Sequence, residues 1–368
     1  MKLSDVVNRI NGNVDRFTTD LEYYVGGEHF DSNELAVTRK GMLKENLNIL
    51  GFKFHFAFQK RDVLFMARNP HLRKAGMVMF DGLCSDATYI LRSKDENVLL
   101  QEYLALQLQS DHFWNYCESH KVGSVNFANN WTSIANYEFD LPSIEEQKVL
   151  ADKLWAAYRV KEAYRQLLST TDEMLKAKFQ EMFGKEPTMT LGKLAESWSK
   201  GQAFKKDEIV NGGKTPCIHY GQLYQYGAVI EDILSYTDAE AVRTSKIGDI
   251  LFPASDVTPK GLARCSCINK DGVILGGDII IMHPLEGLNS SYLSYAINQQ
   301  TQQLLALVTG SVVRHMSAKS LQTVRIPVPE KEDQQQFAEI ATQAEATKAS
   351  LRASIEAIDR VIRSLINQ

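Results

Sequence analysis

Three short motifs could serve catalysis, and each lacks a residue that its chemistry requires. The Gly-Lys-Thr at 213–215 resembles the end of a phosphate-binding loop, but Glu208 stands where the first glycine of the anion cradle is needed. The Asn-Pro-His-Leu at 69–72 shares two residues with the base-holding motif of amino-methyltransferases and lacks its second proline and aromatic residue. The Glu-Gln-Lys at 146–148 ends like a nuclease site without the upstream Pro-Asp, and its acid suits a helix N-terminus. We therefore predict no catalytic residue in this chain.

Cysteine and histidine spacing gives no metal or redox motif. The cysteines are odd in number and scattered, with no C-x-x-C pair, and no two histidines have H-x-x-x-H spacing. We predict reduced thiols, no disulfide framework and no structural metal. The five are Cys84, Cys117, Cys217, Cys265 and Cys267.

Length and composition indicate a globular protein with more than one domain. The 368 residues suggest two or three domains, and 44% hydrophobic with 23% charged residues excludes wholesale disorder and fibrous repeats. The sequence has no apolar run of about 18 residues and no signal-peptide pattern. We expect a cytoplasmic protein without a membrane partner.

Net charge and local charge point in different directions. A total of -4 with a pI of about 6.1 argues against a nucleic-acid partner. Residues 39–74, however, hold nine basic and only two acidic groups, a balance of +7. Such a stretch is typical of phosphate contact, and a solvated face on an otherwise acidic region is an equally good interpretation. The nine basic residues are Arg39, Lys40, Lys44, Lys53, Lys60, Arg61, Arg68, Arg73 and Lys74.

Basic residues in the second half of the chain are more dispersed. The most suggestive are Lys205, Lys206, Lys260, Arg264, Arg314 and Lys319. Taken alone, they would be a weak indication of nucleic-acid binding.

The sequence repeats itself at a displacement of 187 residues. Residues 139–147 align with 326–334, sharing Pro142/Pro329, Glu145/Glu332 and Gln147/Gln334. The same displacement pairs Asp-Val-Leu-Phe at 62–65 with Asp-Ile-Leu-Phe at 249–252, and Gly-Ser-Val at 123–125 with the same three residues at 310–312. Two copies of about 185 residues therefore fill the chain.

A long amphipathic helix follows the Pro-acid-Gln signal in each copy. Apolar or small residues recur at the three-four spacing of a heptad seam, and a lysine occupies the same seam position in both copies. Two equal helices favour pairing with each other, although a surface helix packing on its own domain remains the alternative. The predicted seam residues are Leu150, Leu154, Lys161, Leu168, Leu175, Phe337, Ala344, Lys348, Leu351, Ile355, Ile358 and Ile362.

Between the helices lie two mixed modules. Each combines short β-branched and aromatic runs with one amphipathic helix near its end, around residues 99–116 and 291–308, which predicts an α+β module used twice. The predicted segments are residues 1–143, a helix over 144–184, residues 185–329, and a helix over 330–368.

This arrangement resembles the specificity (S) subunit of type I restriction-modification enzymes over nearly the whole chain. The Leu-Pro-Ser-Ile-Glu-Glu-Gln at 141–147 and the Pro-Val-Pro-Glu-Lys-Glu-Asp-Gln at 327–334 are similar to the family's proline strand and acid-Gln helix start. Further similar strings lie at 25–29, at 62–85 (Asp-Val-Leu-Phe through Phe-Asp-Gly-Leu-Cys-Ser), at 218–221 and at 248–252. One departure is Arg61, where the family tends to have glycine before the aspartate.

The resemblance implies an architecture and a set of partners. It implies an α+β fold with two α/β target-recognition domains, separated by two long helices that form an antiparallel coiled coil with a pseudo-two-fold internal repeat. It also implies double-stranded DNA, two methyltransferase subunits and, as further partners, two restriction subunits. S-adenosylmethionine, ATP and Mg would be bound by those partners and not by this chain. The competing hypothesis is a stand-alone DNA-binding regulator or helical scaffold.

If each module meets a separate stretch of duplex, the target is bipartite, and because the modules differ the half-sites should differ. The basic candidates above include Arg39, Lys40, Lys60, Arg61, Arg68, Arg73 and Lys74 in the first module. They also include Lys205, Lys206, Lys260, Arg264 and Arg314 in the second. We add His71, Tyr220, Ser255 and His315, which stand in the same segments.

Overall fold

The computed structural model describes residues 1–367, which form two compact units. Unit 1 contains residues 1–165 and the segment from Arg352 onward, and unit 2 contains residues 166–351. Each unit thus combines one sheet-rich module with parts of both long helices. The predicted boundaries at 143, 184 and 329 remain predictions, and residue 368 of the last predicted segment lies outside the described residues.

Unit 1 contains two sheets. Its strands are β1 (Val7–Ile10), β2 (Tyr23–Val25), β3 (Ala36–Val37), β4 (Gly41–Met42), β5 (Phe54–Phe58), β6 (Val63–Met66), β7 (Ala75–Val78), β8 (Gly82–Ser85) and β9 (Thr88–Ser93). The first sheet has the order β1-β9-β6-β7-β3 and the second β4-β2-β8-β5. β6 and β7 are buried along their whole length, because both faces of this part of the sheet are covered.

The helices of unit 1 are α1 (Leu3–Val6), α2 (Leu43–Asn46), α3 (Gln101–Gln107), α4 (Asp111–Ser119), α5 (Trp131–Ala135) and the long α6 (Ile144–Phe183), which continues into unit 2. α2 packs on the smaller sheet, and the other helices share the core of the larger sheet. Phe65 of β6 packs against Phe113 and Trp114 of α4 with ring centroids 5.6 and 5.7 Å apart. This aromatic contact joins the helical layer to the centre of the sheet.

Unit 2 repeats this plan with small additions. Its strands are β10 (Thr188–Thr190), β11 (Ala195–Lys200), β12 (Ile209–Val210), β13 (Thr215–Ile218), β14 (Val229–Ile230), β15 (Ser235–Thr237), β16 (Ile250–Pro253), β17 (Ser255–Asp256), β18 (Ser266–Ile268), β19 (Ile274–Leu275), β20 (Ile279–Pro284), β21 (Arg314–His315) and β22 (Arg325–Pro327). The larger sheets have the orders β11-β20-β16-β18-β14 and β12-β15-β13-β19, and β10-β22 and β17-β21 form two-stranded pairs.

The helices of unit 2 are α7 (Leu191–Leu194), α8 (Pro259–Leu262), α9 (Ser290–Asn298), α10 (Thr301–Ala306), α11 (Ala318–Leu321) and the long α12 (Lys331–Ile366), which ends in unit 1. Each module was predicted to carry one amphipathic helix near its end, and each carries two. In unit 1 the break falls at Gln109, whose buried amide donates to the carbonyls of Glu34 and Ala75 at 2.8 and 2.6 Å. The hydrogen bonds from Gln109 to the sheet interrupt the helix at a point where hydrophobic periodicity alone predicts one continuous helix.

The central strand of both units begins with the same turn. Asp62 accepts a hydrogen bond from the Gln59 N–H at 2.8 Å, and Asp249 accepts one from the Lys246 N–H at 2.9 Å. Arg61 has a φ of 74° and Gly248 a φ of 91°, so Arg61 adopts the left-handed conformation that glycine takes without cost. The Arg61 departure leaves the turn unchanged.

The repeated Pro-acid-Gln signal anchors each long helix to its module. At α6, Ser143 and Glu146 form a reciprocal capping box, and these hydrogen bonds lower the pKa of the exposed Glu146 carboxyl. The Gln147 amide donates to the Val98 and Pro142 carbonyls at 2.9 and 3.0 Å. At α12, the amide of Gln334 donates to Pro329 O at 2.9 Å. The acid at 146 thus caps a helix, as its position in the sequence favoured.

The predicted seam faces the packed side of each helix. Leu154, Lys161, Leu175, Phe337, Ala344, Lys348, Leu351 and Ile362 are buried, and Leu150, Leu168, Ile355 and Ile358 are half-buried. In unit 1, α6 residues 151–158 and Ile362 of α12 share one core with the sheet. In unit 2, Phe179 and Phe183 of α6 pack on Phe337 of α12.

The long helices pair with each other and also pack on their modules, so the two alternatives left open by the sequence hold together. In unit 1 the N-terminal part of α6 meets the C-terminal part of α12, and in unit 2 the opposite ends of the two helices meet. This order is that of an antiparallel pair. The α+β fold with a repeated module and paired long helices is therefore confirmed.

Candidate nucleic-acid interface

In unit 1 a short hairpin over residues 122–128 is joined to the segment that follows the central strand. Val122 bridges to Ala128 across the hairpin, and Arg68 bridges to Ala128 from outside it. The Asn69 N–H donates to Phe127 O at 2.8 Å, which fixes the hairpin beside residues 67–74. We call residues 122–128 the first hairpin.

Unit 2 has the same construction at residues 309–315, the second hairpin. Thr309 bridges to His315, and the pair β17-β21 joins Ser255 to His315 and Asp256 to Arg314. The Met316 N–H donates to Ala254 O at 2.9 Å, as the Asn129 N–H donates to Ala67 O at 2.8 Å in unit 1. Every one of these pairings is shifted by 187 residues, so both units present the same two-loop surface.

The candidates of the first module fall into two groups. Arg68 and His71 are exposed beside the first hairpin. Arg73 pairs with Asp111 at 2.5 Å, and Lys74 donates to Gly27 O at 2.6 Å, so these two cations help to fix the loop. Asn69 and Arg73 have φ values of 53° and 49° on either side of the 3₁₀ turn Pro70–Leu72, which gives the loop a defined bend.

The remaining first-module candidates are mostly engaged elsewhere. Arg39 pairs with Asp31 at 2.7 Å, and the Lys40 ammonium lies 3.4 Å from the centroid of the Tyr23 ring. Arg61 pairs with Glu96 and Glu102 at 2.8 and 3.0 Å. Lys60 is exposed in the adjacent turn. The basic stretch at 39–74 is thus divided among several surfaces, and residues 67–74 are the part beside the hairpin.

The second module brings several candidates together. Ser255, Arg314 and His315 share the β17-β21 pair, and Lys260 is exposed on α8, which contacts both strands. Arg264 lies partly buried, with its guanidinium donating to Tyr226 O at 2.5 Å. Burial lowers the pKa of Arg264.

Tyr220, Lys205 and Lys206 lie in or beside 3₁₀ turns outside the β17-β21 pair. Tyr220 begins the turn Tyr220–Gln225, and Lys206 begins the turn Lys206–Glu208 with Lys205 as its cap. Both lysines are exposed, and Tyr220 is half-buried.

Sequence reasoning missed two residues of the second surface, Asp256 and Tyr224. The Tyr224 hydroxyl donates to the Asp256 carboxylate, which also accepts from the Thr258 N–H at 2.6 Å. Burial alone would raise the pKa of Asp256, but these hydrogen bonds outweigh it and the pKa lies below its ordinary value. The 187-residue displacement was the available signal, because it aligns Asp256 with Asn69 in the first loop.

A serine, a histidine and an aspartate form a hydrogen-bonded chain in unit 2. Ser199 Oγ lies 2.8 Å from His283 Nε2, and His283 Nδ1 lies 2.6 Å from Asp249 Oδ1. Unit 1 binds the equivalent carboxylate with an arginine, since Arg92 Nε donates to Asp62 at 2.7 Å. Because a histidine in unit 2 and an arginine in unit 1 bind equivalent carboxylates, the Ser199-His283-Asp249 hydrogen bonds stabilise the turn before the central strand.

The cysteines are all buried, and each is a free thiol. Burial raises the pKa of Cys217 to about 11 and that of Cys267 to about 12, which keeps both protonated near neutral pH. Within residues 1–367, no three His, Cys, Asp or Glu side chains converge as metal ligands would, and none of the helices is long and apolar enough to cross a membrane.

Comparison with models of protein families shows which family the chain belongs to. The model of the type I restriction modification DNA specificity domain matches residues 1–167 and 185–360. The chain belongs to this family. It carries the specificity domain twice, and each match runs from a sheet-rich module into the long helix that follows it.

Solved structures share the fold at low sequence identity. The S subunit of a type I restriction-modification system from M. genitalium is 12% identical, with 100% of this chain and 94% of that chain covered and a TM-score of 0.61. A chain from a type I R-M system, solved to show complex assembly and conformational transition, is 17% identical, with 100% and 95% covered and a TM-score of 0.53. No curated protein matches the chain in sequence.

Proposed function

We propose that this chain is the DNA-recognition subunit of a type I restriction-modification complex and that it reads a bipartite, asymmetric target. The observation that carries this proposal is the duplicated surface of a hairpin joined to a loop with basic side chains. Arg68 and His71 furnish it in unit 1, and Lys260, His315 and the half-buried Arg314 furnish it in unit 2. The same backbone with different side chains is what two unequal half-sites need.

The exposed cations have two tasks in this proposal. Lys and Arg neutralise phosphates and set the register of the duplex, and a bidentate arginine reads guanine. Asp256, which is held as an anion, is suited to accept from the amino group of cytosine. Unit 1 has Asn69 at this position, and an asparagine pairs with adenine.

In this proposal the chain itself is not an enzyme. It positions a base in each half-site for a methyltransferase subunit, which flips the base out and methylates it with S-adenosylmethionine. Two methyltransferase subunits, and through them two restriction subunits that use ATP and Mg, are the proposed partners. The whole assembly would work where the DNA is, in the cytoplasm.

Co-purification tests the proposal against a stand-alone DNA-binding regulator. The tagged chain is expressed with the methyltransferase subunit of its own system, and the retained protein and its methylation of duplex DNA are measured. We expect stable retention and methylation that requires both proteins. A chain that retains no methyltransferase and binds specific duplex tightly by itself would contradict the proposal.

A further inference from the structure

The tips of the two hairpins carry an exposed valine at the same position. Val125 of the first hairpin is 82% exposed and Val312 of the second is 81% exposed. Both follow a Gly-Ser pair, so three consecutive residues are identical in modules that have diverged in most other positions. The internal repeat shows which features of this loop have been kept twice.

The fold explains the glycine of this triplet. Gly123 has a φ of 106° and Gly310 a φ of 92°, conformations that residues with a side chain rarely adopt. A Cβ on Gly123 would also lie 2.7 Å from Asn126 O within the same hairpin. The hairpin therefore needs glycine at this point in both units.

The fold does not explain the serine and the valine. Ser124 and Ser311 are exposed, and the two valines stand mostly in solvent, so neither side chain is needed to pack its module. A single exposed valine is common on protein surfaces, but its recurrence at the equivalent tip of two otherwise diverged modules indicates a shared apolar contact.

Charge around the hairpins favours DNA as that partner. Residues 67–74 and 119–130 of unit 1 contain four basic residues and no Asp or Glu; Arg73 and Lys121 pair with Asp111 and Glu118 just outside these ranges, and Arg68 is exposed beside the hairpin. In unit 2 the hairpin carries Arg314, which lies opposite Asp256 of β17, and Lys260 is exposed on the adjoining α8. An apolar tip with basic residues beside it matches DNA, whose phosphates bind cations and whose base edges in the grooves accept apolar contacts.

The shape of the hairpins favours the major groove. Each tip is a five-residue loop, 123–127 or 310–314, closed by one bridge, Val122 to Ala128 or Thr309 to His315. The major groove, about 12 Å wide, admits two antiparallel chain segments side by side more readily than the minor groove of about 6 Å. The apolar group on the base edges of the major groove is the C5 methyl of thymine.

We propose that each hairpin enters the major groove of one half-site and that Val125 and Val312 each contact the methyl group of a thymine there. This inference rests on the proposed function and assigns one specificity contact to each module. Since the triplet is the same in both modules, the two half-sites should share a thymine at equivalent positions, while their other bases differ.

Replacement of thymine by deoxyuridine tests the contact, because it removes only the methyl group. The complex with the methyltransferase is assayed for binding to its methylated target, first mapped by sequencing, with each thymine replaced in turn. For the unsubstituted chain, one replacement in each half-site should weaken binding about fourfold, the effect of losing one buried methyl group.

Val125→Ala should abolish this penalty in one half-site only, and Val312→Ala in the other half-site only. Val242→Ala is the matched control, since Val242 is 73% exposed in unit 2 and lies outside the hairpin; it should behave like the unsubstituted chain. The alanine variants should keep the melting temperature, because the three side chains are exposed. Penalties unchanged in both hairpin variants, or binding weakened by them without any effect of deoxyuridine, would overturn the inference. A complex without sequence preference would overturn the proposed function itself.

Discussion

Lys161 and Lys348 occupy equivalent seam positions and have different surroundings. Lys161 is 2% exposed and contacts both carboxylate oxygens of Glu34, at 2.8 and 2.9 Å, as well as Asp359. Glu34 belongs to the sheet-rich module, so this cluster joins the module of unit 1 to both of its helical parts. Arg165 adds a second contact to Glu34 at 2.6 Å.

Lys348 is 7% exposed and contacts Asp172 at 2.6 Å and Glu345 at 2.5 Å, both of them on the long helices. The Asp172 side chain is 62% exposed, whereas that of Glu34 is 9% exposed. The sequence predicted two equal polar seam entries. It could not predict Glu34 as a partner, because residues 34 and 161 are far apart in the chain and share no periodic pattern.

Lys161→Met should therefore cost more stability than Lys348→Met. Removing Lys161 leaves a buried carboxylate with one partner fewer, a loss of about 3 kcal/mol in the free energy of unfolding. Removing Lys348 frees a carboxylate that is already in water, with a loss of about 1 kcal/mol or less. Urea unfolding of both variants measures the difference. Equal losses would show that the Glu34 cluster has no special role in joining module and helices.

At the scale of elements, the sequence predicted those helices and strands that have a periodic hydrophobic pattern or that recur in both copies of the repeat. Both long helices, the repeated central strands and the capped helix starts follow from spacing and from the Pro-acid-Gln signal. The β17-β21 pair does not, because strands of two residues have no periodic pattern and depend on backbone contacts between distant segments. The hairpins beside the candidate cations were visible only as repeated Gly-Ser-Val strings.

The long helices should set the distance between the half-sites, because α6 and α12 each contribute to both units. Inserting seven residues into α6 after Leu168, and seven into α12 before Leu351, keeps the heptad seam in phase. It lengthens the pair by about 10 Å, or roughly three base pairs. Sequencing of methylated sites should show unchanged half-sites with a spacer widened by about three base pairs. An unchanged spacer would contradict the role of the helices as a ruler.

At the scale of the whole molecule, repeat and compact unit have different boundaries. The repeat consists of a module followed by its helix, as the family matches show, whereas each compact unit combines a module with parts of both helices. The repeat was predicted from the similarity between the two halves of the sequence. The units depend on contacts such as Lys161 to Asp359, 198 residues apart, which only the fold brings together.

The net charge of the whole chain differs from the charge near the first hairpin. A total of -4 argues against a DNA partner, while the loops beside the first hairpin contain four basic and no acidic residues. Acidic groups such as Glu96 and Glu102 neutralise Arg61, and others are spread over the helices. The charge of the interface is therefore a local property that the total conceals.

Methylome sequencing of cells that contain this chain and its methyltransferase tests the central claim most directly. Two different modules built on one plan predict a single methylated motif with two unequal half-sites and a fixed run of unspecified bases between them. Cells without this chain should lack the motif. Methylation at one continuous motif, at a palindrome, or in the absence of the chain would contradict the account.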